Sequence, residues 1–204
     1  VERDGRGRLR KILSHDSDEG QPESVIQLHI DRRTDPATIE SIQKRLASVL
    51  SDAAKATQDW AAMEERVAET AKEMPDWSPG VKKSWMKECQ SFLEWLLDDN
   101  FVFLGVRDYT ISGSGKSRVL KPVSGSGLGI LREDRRTRRS RPLSELPPVA
   151  LERSNRRPLI VTKTNARSTV HRSGYMDYLG VLKIDEDGRA IGERRIVGLF
   201  TSRA

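Results

Sequence analysis

Cysteine is almost missing from this sequence: Cys89 stands alone among 204 residues. That excludes an internal disulfide framework and points to a reducing, cytoplasmic setting. Aromatic residues are scarce at 5%, so the core is expected to rest on Leu, Ile and Val. No apolar run approaches the ~20 residues that span a bilayer, and no charged-then-apolar leader opens the chain. No membrane partner is expected. The three histidines, His15, His29 and His171, have no Cys or carboxylate at metal-ligand spacing, so no metal site is expected.

What the chain does have is charge, 32% Asp, Glu, Lys and Arg against 36% hydrophobic residues, which is polar but still foldable. The charge is uneven. Residues 131–172 hold twelve Lys and Arg against four acids, a local +8 in a chain whose net charge is +6. Such a patch suits nucleic acid, an anionic ligand or an acidic protein surface. The same stretch contains no Phe, Tyr or Trp to stack on bases, which argues against nucleic acid.

Residues 1–22 lack any sustained period and read as a flexible lead-in. Val25, Ile26, Leu28 and Ile30 suggest one strand, which has to pair elsewhere or with a sheet formed upstream. Asp35-Pro36 starts a helix, a cap followed by Pro at the first helical position. Apolar residues at spacings of three and four then run from Ile39 to Met74, giving one helix of about 57 Å or two with a break near Thr57-Gln58-Asp59. Pro75 is expected to end it. Ser78-Pro79 repeats the start signal for a second helix with Val81, Trp85, Cys89, Phe92, Leu93, Leu96 and Leu97 on one face. On that stripe Cys89 reads as a buried structural thiol.

From Phe101 the period changes to strand. Strands are expected over Phe101–Ile111, Arg118–Val123, Leu159–Thr164, Tyr175–Ile184 and Arg189–Phe200, the last two joined at Asp187-Gly188. Residues 132–157, rich in Arg, Pro and Ser, read as an exposed basic loop. The fold class is therefore α+β: long amphipathic helices, then an antiparallel sheet of about five strands.

Several motifs are weak. Gly115-Lys116-Ser117 imitates the end of a phosphate-binding loop, but position 110 is Thr where Gly is required. Gly125-Ser126-Gly127-Leu128-Gly129 has G-x-G-x-G spacing, not that of a dinucleotide loop, and reads as a backbone bend. The candidate site residues are Arg167, His171, Arg172, Tyr175 and Asp177. They form either an anion or amino-acid site built on charge-assisted hydrogen bonds or a salt-bridged contact between domains. No catalytic, cofactor-binding or metal-binding residue stands out.

Longer strings carry more information. Phe92-Leu93-Glu94-Trp95-Leu96, Asp99-Asn100-Phe101-Val102-Phe103-Leu104-Gly105 and Gly125 to Leu131 resemble the large bacterial NAD-specific glutamate dehydrogenases. The likeness is strongest at Thr162 to Arg172, Tyr175 to Val181 and Gly192 to Ser202, and covers roughly residues 24–204. The resemblance implies the end of an ACT-like module over 23–76 and a PAS-associated module over 77–204. It implies a regulatory and assembly segment, with sister modules and subunits of a homo-oligomer as partners and an amino acid as possible effector. NAD and the oxidative deamination of glutamate would belong to the parent enzyme, since the family's catalytic lysine and Rossmann motifs have no counterpart in this stretch.

Overall fold

The computed structural model describes residues 1–14, 19–20, 23, 26–113, 118–132, 141–142 and 158–201. It contains two compact units, Val1–Ser41 and Ile42–Ala204.

The first unit holds a structure that its composition conceals. Strands β1 (Glu2–Arg3) and β2 (Leu9–Lys11) pair antiparallel across a turn. The Asp4 carboxylate accepts the N–H groups of Arg6 and Arg8, both at 2.9 Å, and Gly7 takes a positive φ of 76°. Residues 1–22 are thus not wholly a featureless lead-in. The strand expected from Val25 to Ile30 is not formed: residues 26–30 are unpaired, and Ile26, Leu28 and Ile30 are exposed. An isolated extended segment has no neighbour to satisfy its backbone; Val25 itself lies outside the described residues. The Asp35 cap is present as expected, its Oδ2 accepting both the N–H (2.9 Å) and the hydroxyl (2.6 Å) of Thr38.

Helix α1 (Pro36–Gln58) begins here and runs on into the second unit, where α2 (Trp60–Trp77) follows after a break at Asp59. The two-helix alternative is therefore the observed one. Pro75 does not end α2, which continues to Trp77. Proline cannot donate to the carbonyl four residues earlier, and that carbonyl, on Ala71, instead accepts Gln90 Nε2 at 2.7 Å. A side chain of the next helix replaces the lost bond. That helix, α3 (Lys83–Trp95), starts later than Ser78-Pro79 suggested. Ser78 is buried and donates its hydroxyl to Leu182 O (3.2 Å) in the sheet, and Lys82 stands at the start of α3 instead. The chain leaves α3 through a wide turn, Leu96–Asn100, with Asp99 at φ 55°.

The strands are β3 (Phe101–Ser112), β4 (Val119–Pro122), β5 (Leu128–Gly129), β6 (Arg141–Pro142), β7 (Leu159–Arg167), β8 (Tyr175–Ile184) and β9 (Ala190–Phe200). They form one seven-stranded antiparallel sheet in the order β6-β4-β3-β9-β8-β7, with β5 beside β3. The α+β class holds; the expected count of five misses the two-residue strands β5 and β6. The Asp187-Gly188 turn joins β8 to β9 as expected, Gly188 at φ 79°. The basic loop expected over 132–157 lies outside the described residues apart from Arg132 and Arg141–Pro142, as does Gly115-Lys116-Ser117.

Alternation along the strands gives the sheet two faces. On one, Met63, Val67, Ala71 and Met74 of α2 and Met86 and Leu93 of α3 pack with Phe101, Phe103, Val106, Leu179, Val181 and Ile196. The four phenylalanines gather at one end, with Phe101 centred 5.1 Å from Phe200 and 5.2 Å from Phe103, and Phe92 6.4 Å from Phe200. The few aromatics are spent on the joint between α3 and the strands. Since α2 shares this core with the sheet, the expected division at 76/77 falls within one packed unit. By contrast α1 buries only Ala56, and Leu46 and Leu50 on its apolar stripe remain exposed. No described helix is long and apolar enough to cross a membrane.

Candidate functional site

The five residues singled out in the sequence lie around the β7–β8 connection, and the fold separates them. Arg167 and Tyr175 are cross-strand partners, with the guanidinium 5.2 Å from the ring centre. Arg172 donates to Phe200 O (2.6 Å), and His171 sits exposed in the turn at φ 67°. Asp177 is buried on the helix-side face, paired with Lys163 Nζ at 2.7 Å and accepting the N–H of Phe200 at 3.2 Å. Thr169 in the same loop donates to Asp52 of α1 (3.0 Å). Arg172 and Asp177 both bind the end of β9, and the remaining members face solvent. They do not converge on one point.

The glycine-rich stretch serves the backbone. Gly129 pairs with Gly105, and at φ +60° an added Cβ would stand 2.1 Å from Leu104 O. Only glycine fits so close an approach. Gly129 N–H donates to Asp59 Oδ2 at 2.7 Å, and the Arg132 guanidinium grips the same carboxylate through Nε and Nη2. Arg132, opposed by partial burial and aided by the Gly129 N–H, holds Asp59 below the usual carboxylate range. The break between α1 and α2 is thereby fastened to the turn beside β3.

Two adjacent arginines on β9 show how differently the faces are furnished. Arg194 points to the helices. Its Nε and Nη2 bind both oxygens of Asp108 (2.7 and 3.0 Å), while Nη1 reaches Thr70 Oγ1 (3.0 Å) and Glu73 (3.6 Å). Its guanidinium lies 4.7 Å from the Trp77 ring centre, beside Lys183 at 4.1 Å. This network ties α2 to β3 and β9.

Arg195 points the other way, into a buried polar cluster that the sequence search did not single out: Arg107, Tyr109, Tyr178 and Glu193. Its Nε donates to Glu193 at 2.9 Å, and its guanidinium lies 4.2 Å from the Tyr109 ring centre and 5.1 Å from that of Tyr178. Arg107 and Glu193 are each 1% exposed. Burial raises the Tyr178 hydroxyl well above its ordinary value, with Glu193 adding to the rise and Arg195 opposing it. Burial works against the Arg195 charge, but Glu193 and the two tyrosines outweigh it and hold the guanidinium protonated. Tyr178 Oη, beside Glu193 and Arg195, and Arg195 Nη2 are closed to solvent. The signal was present in the sequence: Arg107 with Tyr109, and Glu193 with Arg195, recur at period two inside apolar strands, where charge is costly.

On the helix side, a groove of about 460 Å³ runs between α3 and the edge strand β7, lined by Trp85, Glu88, Cys89, Phe92, Leu159 and Val161. Cys89 is half-buried there, and burial, assisted by Glu88, raises its thiol, which keeps it from being a reactive thiolate. No group of three or more His, Cys, Asp or Glu able to hold a metal occurs among the described residues.

No family model matches the chain. Among curated proteins it is similar to the NAD-specific glutamate dehydrogenases of Halomonas elongata, 32% identical over 209 residues, and Pseudomonas aeruginosa, 30% identical over 209 residues. Both alignments cover 99% of this chain and 13% of the relative's length.

Proposed function

We propose that this chain is a non-catalytic regulatory and assembly segment of a large NAD-dependent glutamate dehydrogenase. The parent reaction would be the oxidation of L-glutamate by NAD to 2-oxoglutarate, ammonia and NADH, with NAD bound outside this segment. One observation carries the reading: nearly the whole chain aligns within a small fraction of two enzymes named for that activity. The residues at hand support contact more than chemistry. Arg172, Asp177 and Arg194 spend their charges on strand ends and helix–sheet joints, and α1 leaves Leu46 and Leu50 uncovered for sister modules or subunits of a homo-oligomer. Regulation would then be coupling, with this segment docking differently in two states of the parent.

The finer assignment is a PAS-associated module with an ACT-like remnant before it. It is supported by the antiparallel run β4-β3-β9-β8-β7 with α2 and α3 on one face. That module, expected over 77–204, would include α2, whose apolar side belongs to the same core. The purified chain is expected to show no glutamate-dependent reduction of NAD, followed by absorbance of NADH. Appreciable turnover overturns the reading.

A second reading is an amino-acid sensor, for which the guanidinium and phenol groups gathered around Arg195 are a suitable kind of chemistry. Membrane and nucleic-acid partners remain outside the proposal.

A further inference from the structure

We propose that the outer edge of β7, with the groove between it and α3, is a docking surface for a second copy of this chain, the two β7 strands pairing antiparallel across a two-fold axis. The inference rests on the assembly half of the function proposed above and gives that assembly a place.

The two ends of the sheet are finished differently. At one end β6 is a two-residue strand, Arg141–Pro142, and both its brevity and its proline blunt an edge. At the other end β7 runs for nine residues, with no further strand beside it among the described residues. Its own protective features sit at its limits: Pro158 precedes it, and its register with β8 is interrupted between Lys163 and Arg167. Leu159 to Lys163 lies between them in regular register. Leu182 N–H donates to Pro158 O at 2.7 Å. Main-chain groups alternate sides along an antiparallel strand, so those of Ile160 and Thr162 also turn to β8. Those of Leu159, Val161 and Lys163 turn outward.

The same three residues carry their side chains on the helix face. Leu159 and Val161 line the groove of about 460 Å³ with Trp85, Glu88 and Phe92, while Lys163 reaches Asp177. Val161 is 41% and Trp85 38% exposed, apolar surface that a strand laid on this edge would cover. Charge selects a second copy as the occupant. With the axis at Val161 the whole stretch pairs with itself: Val161 meets its equivalent, and the second copy's Lys163 lies opposite Leu159. Moving the axis to Thr162 sets that lysine opposite Val161 instead. In both registers an ammonium is brought to the groove that holds Glu88. Lys163 has 61% of its side chain exposed and three donors, enough for its own Asp177 and for the Glu88 of another copy. Two-fold symmetry forms that ion pair twice.

The test is sedimentation equilibrium of the chain from low to several hundred micromolar, with amide hydrogen exchange measured at both ends of that range. A reversible dimer in the micromolar range is expected, as befits a small interface, and it should weaken as salt is raised. The N–H groups of Leu159, Val161 and Lys163 are expected to gain protection with concentration, while those of Ile160 and Thr162 stay protected throughout. Val161→Pro removes an N–H that already points away from β8, a position an edge strand tolerates; it should raise the dissociation constant at least tenfold with the unfolding temperature of the monomer nearly unchanged. Glu88→Lys, on the exposed side of α3, should weaken the dimer severalfold. A chain that stays monomeric at every concentration overturns the proposal, as does a mass that grows past two copies. Undiminished dimerisation by either variant, or a dimer in which the three outward N–H groups exchange as in the monomer, overturns it too. The exchange measurement is made on the unaltered chain, so it decides even where Val161→Pro fails to fold. A monomeric chain without glutamate turnover removes this inference and leaves the regulatory segment standing; a chain that turns glutamate over removes that reading instead.

Discussion

Arg194 and Arg195 are neighbours in sequence and opposites in situation. Arg194 is saturated: both oxygens of Asp108, Thr70, Glu73 and the Trp77 ring surround it, and its work is to hold α2 to the sheet. Arg195 is equally committed to one acid, Glu193, but keeps a buried N–H in reserve. The difference runs across the whole sheet. The helix-covered face is an apolar core with the Arg194–Asp108 network on one side and the Asp177–Lys163 pair on the other, each charge answered. The opposite face buries Arg107, Glu193 and Tyr178 and half-buries Arg195 and Tyr109 beside them, an arrangement that costs desolvation and is repaid only by close pairing. Both faces hold the fold, one mainly through apolar packing and the other through apolar clusters around Ile160 and Leu199 interrupted by buried charge.

The largest effects should come from the first face. Phe103, 1% exposed and touching both Phe101 and the helices, has nowhere to be replaced from. Phe103→Ala is expected to cost about 3–5 kcal/mol, read by urea denaturation, since a large cavity would open under α2. Next comes Arg194→Met, expected at about 3 kcal/mol because Asp108 would be left partly buried with Arg66, at 3.8 Å, as its remaining cation among the described residues. A value under ~1 kcal/mol would erase the contrast between the two arginines.

Smaller effects probe the strap between α1, α2 and β3. Gly129→Ala forces a Cβ against Leu104 O at φ +60° and should cost about 2 kcal/mol of backbone strain. Asp59→Asn weakens the grip of Arg132 and should cost about 1 kcal/mol at neutral pH after allowance for solvent screening. Its pH dependence has a definite sign. The Asp59 pKa is lowered by folding, so its contribution is complete above the unfolded value of ~3.9 and is lost as pH falls through the lower folded value. The gap between parent and variant should therefore be flat from pH 8 to 5 and close below about pH 4. A gap that widens on acidification contradicts the ion pair.

How much of this was legible in the sequence depends on whether the information was local. The five long strands, the Asp35 cap and the Asp187-Gly188 turn could be read because period, cap and turn chemistry are written in adjacent residues. The persistence of α2 through Pro75 could not, because its lost bond is replaced by Gln90, on another helix. Ser78 misled for the same reason: its hydroxyl serves Leu182, far along the chain. The glycines from Gly125 to Gly129 were recognised as a bend, but their partner, the Asp59 carboxylate, is seventy residues away. Among site residues, clustering in sequence drew attention to Arg167 through Asp177, which the β7–β8 turn then spreads apart. The cluster that does converge comes from β3, β8 and β9, and only strand order brings it together.

The smallest expected effect sharpens the comparison from outside. Arg167 and Tyr175 pair across β7 and β8 at an exposed rim, the ring 52% accessible and 5.2 Å from the guanidinium. Both look like the Arg195–Tyr178 pair in residue type, yet both keep water as an alternative partner. A cation–π contact of this kind contributes about 0.5 kcal/mol at the surface. Arg167→Ala should thus shift the urea midpoint barely beyond error. A midpoint shift as large as that of Asp59→Asn would show that this exposed pair fastens the β7–β8 connection. The same two residue types, separated by burial, would then contribute alike, against the expectation that water competes for the exposed pair.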